Sequence, residues 1–290
     1  MPRLLLAVAA VLLPAASAIG QFALVDDQRS IDVNVEIELT DPDDGKTLHF
    51  FGDSDSALPP APFAPFTDVA FARAEASPIN WGEATGGQLS TASPTLLKGE
   101  GQITGEGRLG FAIPPSFLNA SGISVYRVTF EVSGHTLVRL NGELSTTSVA
   151  QGAGTNGFAR ARVSRVFEEA LQPLTSTTIQ GTMVAQLDQE LRLAPGTYEH
   201  ELFAQAGVFT TSGDAPFSSA SFDAQLEFVG AMCGEADLAA PFGEHDFSDV
   251  VAFLVAFDSQ EQIADLAPPF GVLDFTDVVI FIERFAVGCP

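Results

Sequence analysis

Hydrophobic and polar residues alternate without a break through Ile31-Asp-Val33-Asn-Val35-Glu-Ile37-Glu-Leu39, placing five aliphatic side chains on one face of an extended segment and four polar ones on the other. The same period returns at Tyr126-Arg-Val128-Thr-Phe130-Glu-Val132 and at Phe222-Asp-Ala224-Gln-Leu226-Glu-Phe228, each bounded by Gly, Ser or Pro. Each run predicts a half-buried strand. Asn141-Gly142 predicts a type I′ hairpin, because both positions tolerate positive φ. Leu193-Ala-Pro-Gly-Thr-Tyr198 reads as a strand, a Pro-Gly turn and the start of the next strand. Short strands with turn signals between them and one wet face each predict a mainly β domain over residues 19–230, an antiparallel β-sandwich or jelly roll. Residues 41–66 break the pattern with Asp41-Pro-Asp-Asp-Gly45 and then Pro59, Pro60, Pro62 and Pro65, and predict a surface loop or extended strap.

The pattern changes again near the carboxy end, where a unit repeats after 28 residues. Asp237-Leu-Ala-Ala-Pro-Phe-Gly-Glu-His-Asp246-Phe-Ser-Asp249-Val recurs as Asp265-Leu-Ala-Pro-Pro-Phe-Gly-Val-Leu-Asp274-Phe-Thr-Asp277-Val. Each copy runs into an apolar stretch of helical length, Val250 to Phe257 and Val278 to Phe285, so the unit is an aspartate-bearing loop followed by a helix. Cys233 and Cys289 flank the duplication. A domain boundary is expected at Gly230 to Met232, with a small α-helical module over residues 231–290.

The amino terminus carries Arg3, the apolar run Leu4 to Leu13 and Ala16-Ser17-Ala18, the pattern of a secretory signal peptide over residues 1–18. Ten apolar residues are too few for a bilayer, which needs about 20. The chain is therefore expected to be exported, extracellular and not membrane-spanning. Two cysteines in an exported protein predict one disulfide, and closing that long loop would stabilise the module by about 4 kcal/mol on the chain-entropy account. The formal charge of −24 rests on 37 acidic against 13 basic residues, which argues against nucleic acid and anionic membrane surfaces. With 46% hydrophobic residues the chain is not of disordered composition.

Chemical motifs in the large domain are weak. Gly152-Ala-Gly154-Thr-Asn-Gly157 matches a dinucleotide fingerprint, but Phe158 to Val163 alternates like a strand and offers the phosphate no helix amino terminus. Gly45-Lys46-Thr47 lacks the earlier glycine of a phosphate loop, position 40 being Thr, and reads as a hairpin turn. The histidines His49, His135, His200 and His245 match no metal spacing, although His200 in Tyr198-Glu-His200-Glu could line a site. Acidic pairs such as Glu168-Glu169 do not nominate a glycosidase couple. With 24 phenylalanines against one tryptophan and two tyrosines, Trp81 is the one candidate glycan platform, a core position being the alternative. Arg127, Arg160, Arg162 and Arg165 fall in one stretch; they are expected either to pair across strands with Glu131 and Glu143, or to dock the acidic module or an anionic polysaccharide.

The repeat is similar to dockerin domains, and with the closing Gly288-Cys289-Pro290 it looks most like the Gly-Cys-ending dockerin-type modules of exported bacterial proteins. The resemblance covers about residues 231–290. It implies two loop-helix units of EF-hand type, Ca²⁺ ligation, and attachment to a cohesin-like or other surface partner. The aspartates that carry over are Asp237, Asp246, Asp249, Asp265, Asp274 and Asp277. The third and fifth loop positions depart from the pattern, being Ala239 and Pro241, then Ala267 and Pro269. Two readings stay open: weak Ca²⁺ binding, or a plug in which Phe242 and Phe270 turn inward against Phe253, Phe257, Phe281 and Phe285 while the aspartates cap helices. The expected function is that of an exported non-enzymatic protein anchored or assembled through this module. The alternatives are a carbohydrate-binding sandwich and a small polysaccharide-active hydrolase.

Overall fold

The computed structural model describes residues 22–40, 43, 46–110, 116–149, 154–167, 170–211 and 215–289, with 47–50 described by their backbone alone. The expected signal segment 1–18, Asp41-Pro42, Gly152 and Glu168-Glu169 lie outside the described residues. Among the described residues twelve strands form two antiparallel sheets. They are β1 (Phe22–Thr40), β2 (Thr47–Ala57), β3 (Phe66–Ser77), β4 (Asn80–Ser93), β5 (Leu96–Leu109), β6 (Phe117–Val132), β7 (Thr136–Val149), β8 (Gly154–Phe167), β9 (Ala170–Gln180), β10 (Met183–Leu193), β11 (Gly196–Thr210) and β12 (Phe217–Ala231). One sheet has the order β2-β1-β6-β11-β8-β9 and the other β10-β7-β12-β5-β4-β3. After each of β2, β5, β6, β7, β9, β10 and β11 the chain crosses to the opposite sheet, so both layers depend on pairing between distant segments.

The alternating runs supply the inner faces. Ile31, Val33, Val35 and Ile37 are buried on β1, Tyr126, Val128, Phe130 and Val132 on β6, and Phe222, Ala224 and Leu226 on β12. Small residues on β4 and β5 let the layers approach closely: a Cβ at Gly86 would lie 2.3 Å from Ile31 Cγ2 on β1, and one at Gly105 would lie 2.7 Å from the Ala120 carbonyl oxygen on β6. The turn between Leu193 and Gly196 falls where expected, and Tyr198 Oη donates to the Ala194 carbonyl across it at 2.7 Å.

Two expectations are corrected. Asn141-Gly142 is no hairpin turn but lies inside β7, paired with Gln225 and Ala224 on one side and Asp188 and Leu187 on the other. Gly142 has φ +140° there, and a Cβ would sit 2.2 Å from the Asp223 carbonyl oxygen, so the glycine serves close strand approach instead of a turn. Residues 47–57 form strand β2, leaving only the proline-rich part as a strap. That strap is pinned by the buried Asp27–Arg29 pair: Asp27 Oδ2 accepts from Phe63 N at 2.6 Å and Arg29 Nη2 donates to the Ala64 carbonyl at 2.7 Å.

After β12 come two helices, α1 (Phe247–Asp258) and α2 (Phe275–Val287), with a short 3₁₀ turn at Gln262–Ala264 between them. They have their own small core of Ala236, Leu238, Phe253, Ala256, Ala264 and Phe281. Phe253 and Phe281, equivalent positions of the repeat, stack on each other at 4.1 Å between ring centres. Cys233 and Cys289 are disulfide-bonded and tie the two ends together.

Candidate functional site: the helix pair and its loops

Each helix starts at a capping box whose residues repeat 28 positions apart. Asp246 is the N-cap of α1, its Oδ1 accepting from Ser248 N at 2.7 Å, and Asp249 returns the contact through Oδ2 from Asp246 N at 2.9 Å. In α2 Asp274 and Asp277 do the same, with bonds of 2.6 Å from Thr276 N and 2.8 Å from Asp274 N. This satisfies backbone donors that a helix start leaves open, and negative charge is favoured there.

Asp249 and Asp277, third residues of their helices, also hold the loops. Asp249 Oδ1 accepts from Leu238 N and Ala239 N at 2.6 and 2.8 Å, and Asp277 Oδ1 from Leu266 N and Ala267 N at 2.7 and 2.8 Å. Both side chains are fully buried. For Asp277 burial alone would raise the carboxyl pKa, but the converging N–H groups of Asp274, Ala267 and Leu266 outweigh it and hold the pKa below the ordinary value of 3.8. Asp237 Oδ2 accepts from Cys233 N and Gly243 N at 2.8 and 2.7 Å, and Asp265 Oδ2 accepts from Gly271 N.

These bonds decide the fit of Ca²⁺. The ion takes about 6 to 8 oxygens. The aspartates named for it have committed oxygens to backbone donors, and the buried carboxylate oxygens left without a donor are Asp237 Oδ1 and Asp265 Oδ1, one per loop. The residues present do not fit the ion, because one buried uncommitted carboxylate oxygen per loop falls far short of the oxygens it takes. The apolar plug fails as well. Phe270 is 72% exposed, and Phe242 packs instead under the Arg192 guanidinium, 6.0 Å from its ring centre.

Both helices also turn apolar side chains outward. On α1 Phe247, Val251, Leu254 and Val255 are exposed; on α2 Phe275, Val279 and Ile282 are, with Phe270, Val272 and Val287 nearby. Phe247 and Phe275, Val251 and Val279, and Leu254 and Ile282 are equivalent positions, so the repeat presents the same stripe at i, i+4 and i+7 twice. The inward stripe was legible as helix core. The outward one was hidden in the same apolar run, since periodicity does not say which half of an all-apolar stretch finds a partner.

The helix pair is docked on the sandwich by Arg192 at the end of β10. Its Nη1 donates to the Asp237 carbonyl and Nη2 to the Leu238 carbonyl, each at 2.9 Å, while Met232 N donates to the His135 carbonyl at 2.8 Å. Burial lowers the Arg192 pKa, with Asp237, Glu190 and Asp249 pulling the other way. The arginines expected to dock the module do something else. Arg127, Arg160 and Arg162 converge on the outer face of the first sheet upon Glu201, which is fully buried, with Glu199 beside it. Their partners are thus on β11 and not Glu131 or Glu143, and Arg165 Nη2 donates to the Pro195 carbonyl. Burial opposes ionisation of Glu201, but the hydrogen bond from Arg127 and the charges of Arg160, Arg162 and Arg127 prevail and lower its pKa.

His200 lines no open site. It lies in the inter-sheet core, edge-on to Tyr126 at 5.7 Å, and burial lowers its pKa to about 4, against weaker opposite pulls from the Arg162 backbone and Glu201. Trp81 is half-buried on β4, in register with Glu75 and Arg108. Its neighbour Gly82 faces Val35 and Leu118, so Trp81 points to the outer side of its sheet and not into the core.

No protein-family model matches the chain, and no curated protein matches it. Among solved structures it is similar to infectious bursal disease virus VP2 in a subviral particle, at 9% identity over 93% of this chain and 80% of that one, TM-score 0.16. It is also similar to T=1 particles derived from that virus, at 8% identity, 89% and 80% coverage, TM-score 0.12. A likeness at these scores carries no argument about fold or function. Among the described residues no helix is long and apolar enough to cross a membrane.

Proposed function

We propose that residues 231–290 are a dockerin-like attachment module that anchors an exported, non-enzymatic protein at the cell surface or in an extracellular assembly. The observation that carries the reading is the duplicated outward stripe, Phe247, Val251 and Leu254 with Phe275, Val279 and Ile282. Exposed apolar side chains lined up on a helix face mark interaction sites, and helices laying an apolar face into a partner's groove are a recurrent recognition mode. The partner is a cohesin-like or other surface protein, bound mainly through apolar burial. Glu199 and Glu201 are held by arginines, so the most buried carboxylates of the outer sheet face are not free for acid-base work.

A second reading makes the sandwich a carbohydrate-binding domain, favoured by the outward position of Trp81. Both are tested by comparing the intact protein, a Phe247→Asp/Phe275→Asp variant and Trp81→Ala for saturable binding to cell-envelope material and to insoluble polysaccharide. The attachment reading expects envelope binding lost only in the aspartate variant, with melting unchanged. Envelope binding retained by that variant overturns it. Polysaccharide binding lost in Trp81→Ala would establish the second reading.

A further inference from the structure

Cys233, Cys289 and His245 form a compact group of metal-ligating side chains, with one ligand atom from each within 4.8 Å of the others. His245 is held in a ligating pose. Its Nδ1 lies 3.0 Å from the Phe285 carbonyl oxygen, which can only accept, so Nδ1 is the donor and Nε2 is the nitrogen left to ligate. The ring is stacked on Phe285 at 5.3 Å, which fixes its plane. Nε2 is buried and has no hydrogen-bond partner. A carbonyl-anchored imidazole with its other nitrogen free is the arrangement that orients metal-bound histidines.

The surroundings admit a cation. Cys233 and His245 border a cavity of about 430 Å³ together with His135, Glu235 and Arg284. Arg284 is ion-paired with Glu235, which offsets its charge. His135, from the connection between β6 and β7, has its pKa lowered by burial and by Arg284.

We propose that, once the disulfide is reduced, the Cys233 and Cys289 thiolates and His245 Nε2 form a Zn²⁺ site whose fourth position opens to water in this cavity. In the reduction a dithiol gives two electrons and two protons to the S–S bond, leaving two thiols and itself closing to a disulfide. Zn²⁺ then displaces both thiol protons as two Zn–S bonds and one Zn–N bond form. Tetrahedral zinc with bonds of about 2.0 to 2.3 Å places its donors roughly 3.5 to 3.8 Å apart, so the two sulfurs, bonded to each other in the oxidised protein, part by roughly 1.7 Å on binding the metal. Thiolate and imidazole are the donors zinc prefers. The metal would close the same loop that the disulfide closes, so the module keeps its ends joined in either redox state.

The test uses the full chain, reduced with a phosphine, freed of metal and titrated with Co²⁺ and then Zn²⁺. One equivalent of Co²⁺ is expected to give a thiolate-to-cobalt charge-transfer band with tetrahedral ligand-field absorption, both abolished by Zn²⁺. His245→Ala still forms the disulfide when oxidised, which reports its folding, and its reduced form should bind at least about 10-fold more weakly. Absence of the band in the reduced wild type, equal binding by the oxidised protein, or equal affinity in His245→Ala each overturns the proposal. The last result would mean two thiols binding without the folded site.

Discussion

Asp249→Asn is the most direct probe of how the helix pair is built. The native carboxylate is fully buried and takes three backbone N–H bonds, from Leu238, Ala239 and Asp246. The amide keeps one acceptor oxygen but turns an NH₂ group toward at least one of those donors and removes the negative charge at the helix start. A buried donor left unpaired costs about 1 to 3 kcal/mol, and hydrogen bonds to charged groups are worth about 1.5 to 3 kcal/mol, so a loss of about 3 kcal/mol is expected. For a unit of this size about 1 kcal/mol shifts the midpoint by about 4 to 8 °C, which predicts a fall of roughly 12 to 24 °C. The helices are confined to residues 247–287, so the helical part of the far-UV circular dichroism reports their melting apart from the sandwich. In the same assay millimolar Ca²⁺ should leave the wild-type midpoint where it is. A wild-type midpoint that climbs with Ca²⁺ concentration, or an Asn variant that melts with the wild type, would refute the assignment of these aspartates to backbone capping.

Other consequences follow from the sandwich. Glu201→Gln leaves Arg127, Arg160 and Arg162 around a neutral group and should cost about 2 to 3 kcal/mol in urea unfolding, less than a fully buried pair because the arginines are 21–34% exposed. Because the folded pKa of Glu201 is lowered, its stabilisation is present above the ordinary carboxylate value of 4.5 and is lost as pH falls below it; the Gln variant should lack that slope. The folded pKa of His200 also lies below its ordinary 6.5, at about 4, so the protein should lose stability as pH falls from 6.5 toward 4, and His200→Leu should remove that limb, seen in melting temperature against pH. Gly142→Ala must displace the Asp223 backbone and should cost at least about 2 kcal/mol, measured by chemical denaturation. Arg192→Ala should raise hydrogen exchange around Asp237 and Leu238 without lowering the melting point of the sheets.

Where one face of a strand is buried, the period of two in the sequence translated directly into structure, as on β1, β6 and β12. Legibility failed where pairing partners decide. Asn141-Gly142 carries turn chemistry, yet the same tolerance of positive φ serves a crowded strand interior, and only the position of Ala224 across the ladder tells the two apart. The alternation in Tyr198-Glu-His200-Glu marks two faces without saying which is inner. Register answers it, by setting Glu201 between Arg127 and Arg162 and turning His200 into the core. Strand β9 is mostly polar and exposed at a sheet edge, so no hydrophobic pattern announces it.

The duplication separates what holds the module together from what it presents. Asp249 and Asp277 point inward and close their own loops, and Phe253 meets Phe281, its counterpart in the other copy, at the centre. None of that requires an outward apolar stripe. Capping boxes and a paired phenylalanine core would serve equally well with polar residues at 247, 251, 254, 275, 279 and 282, and such residues would suit a chain of charge −24 in water. The stripe costs solubility and adds nothing to the core, yet it appears in both copies at the same helical positions. A buried partner surface accounts for both the apolar character and the repetition. Loss of that partner contact through Phe247 and Phe275, with folding intact, is the outcome on which the attachment reading stands.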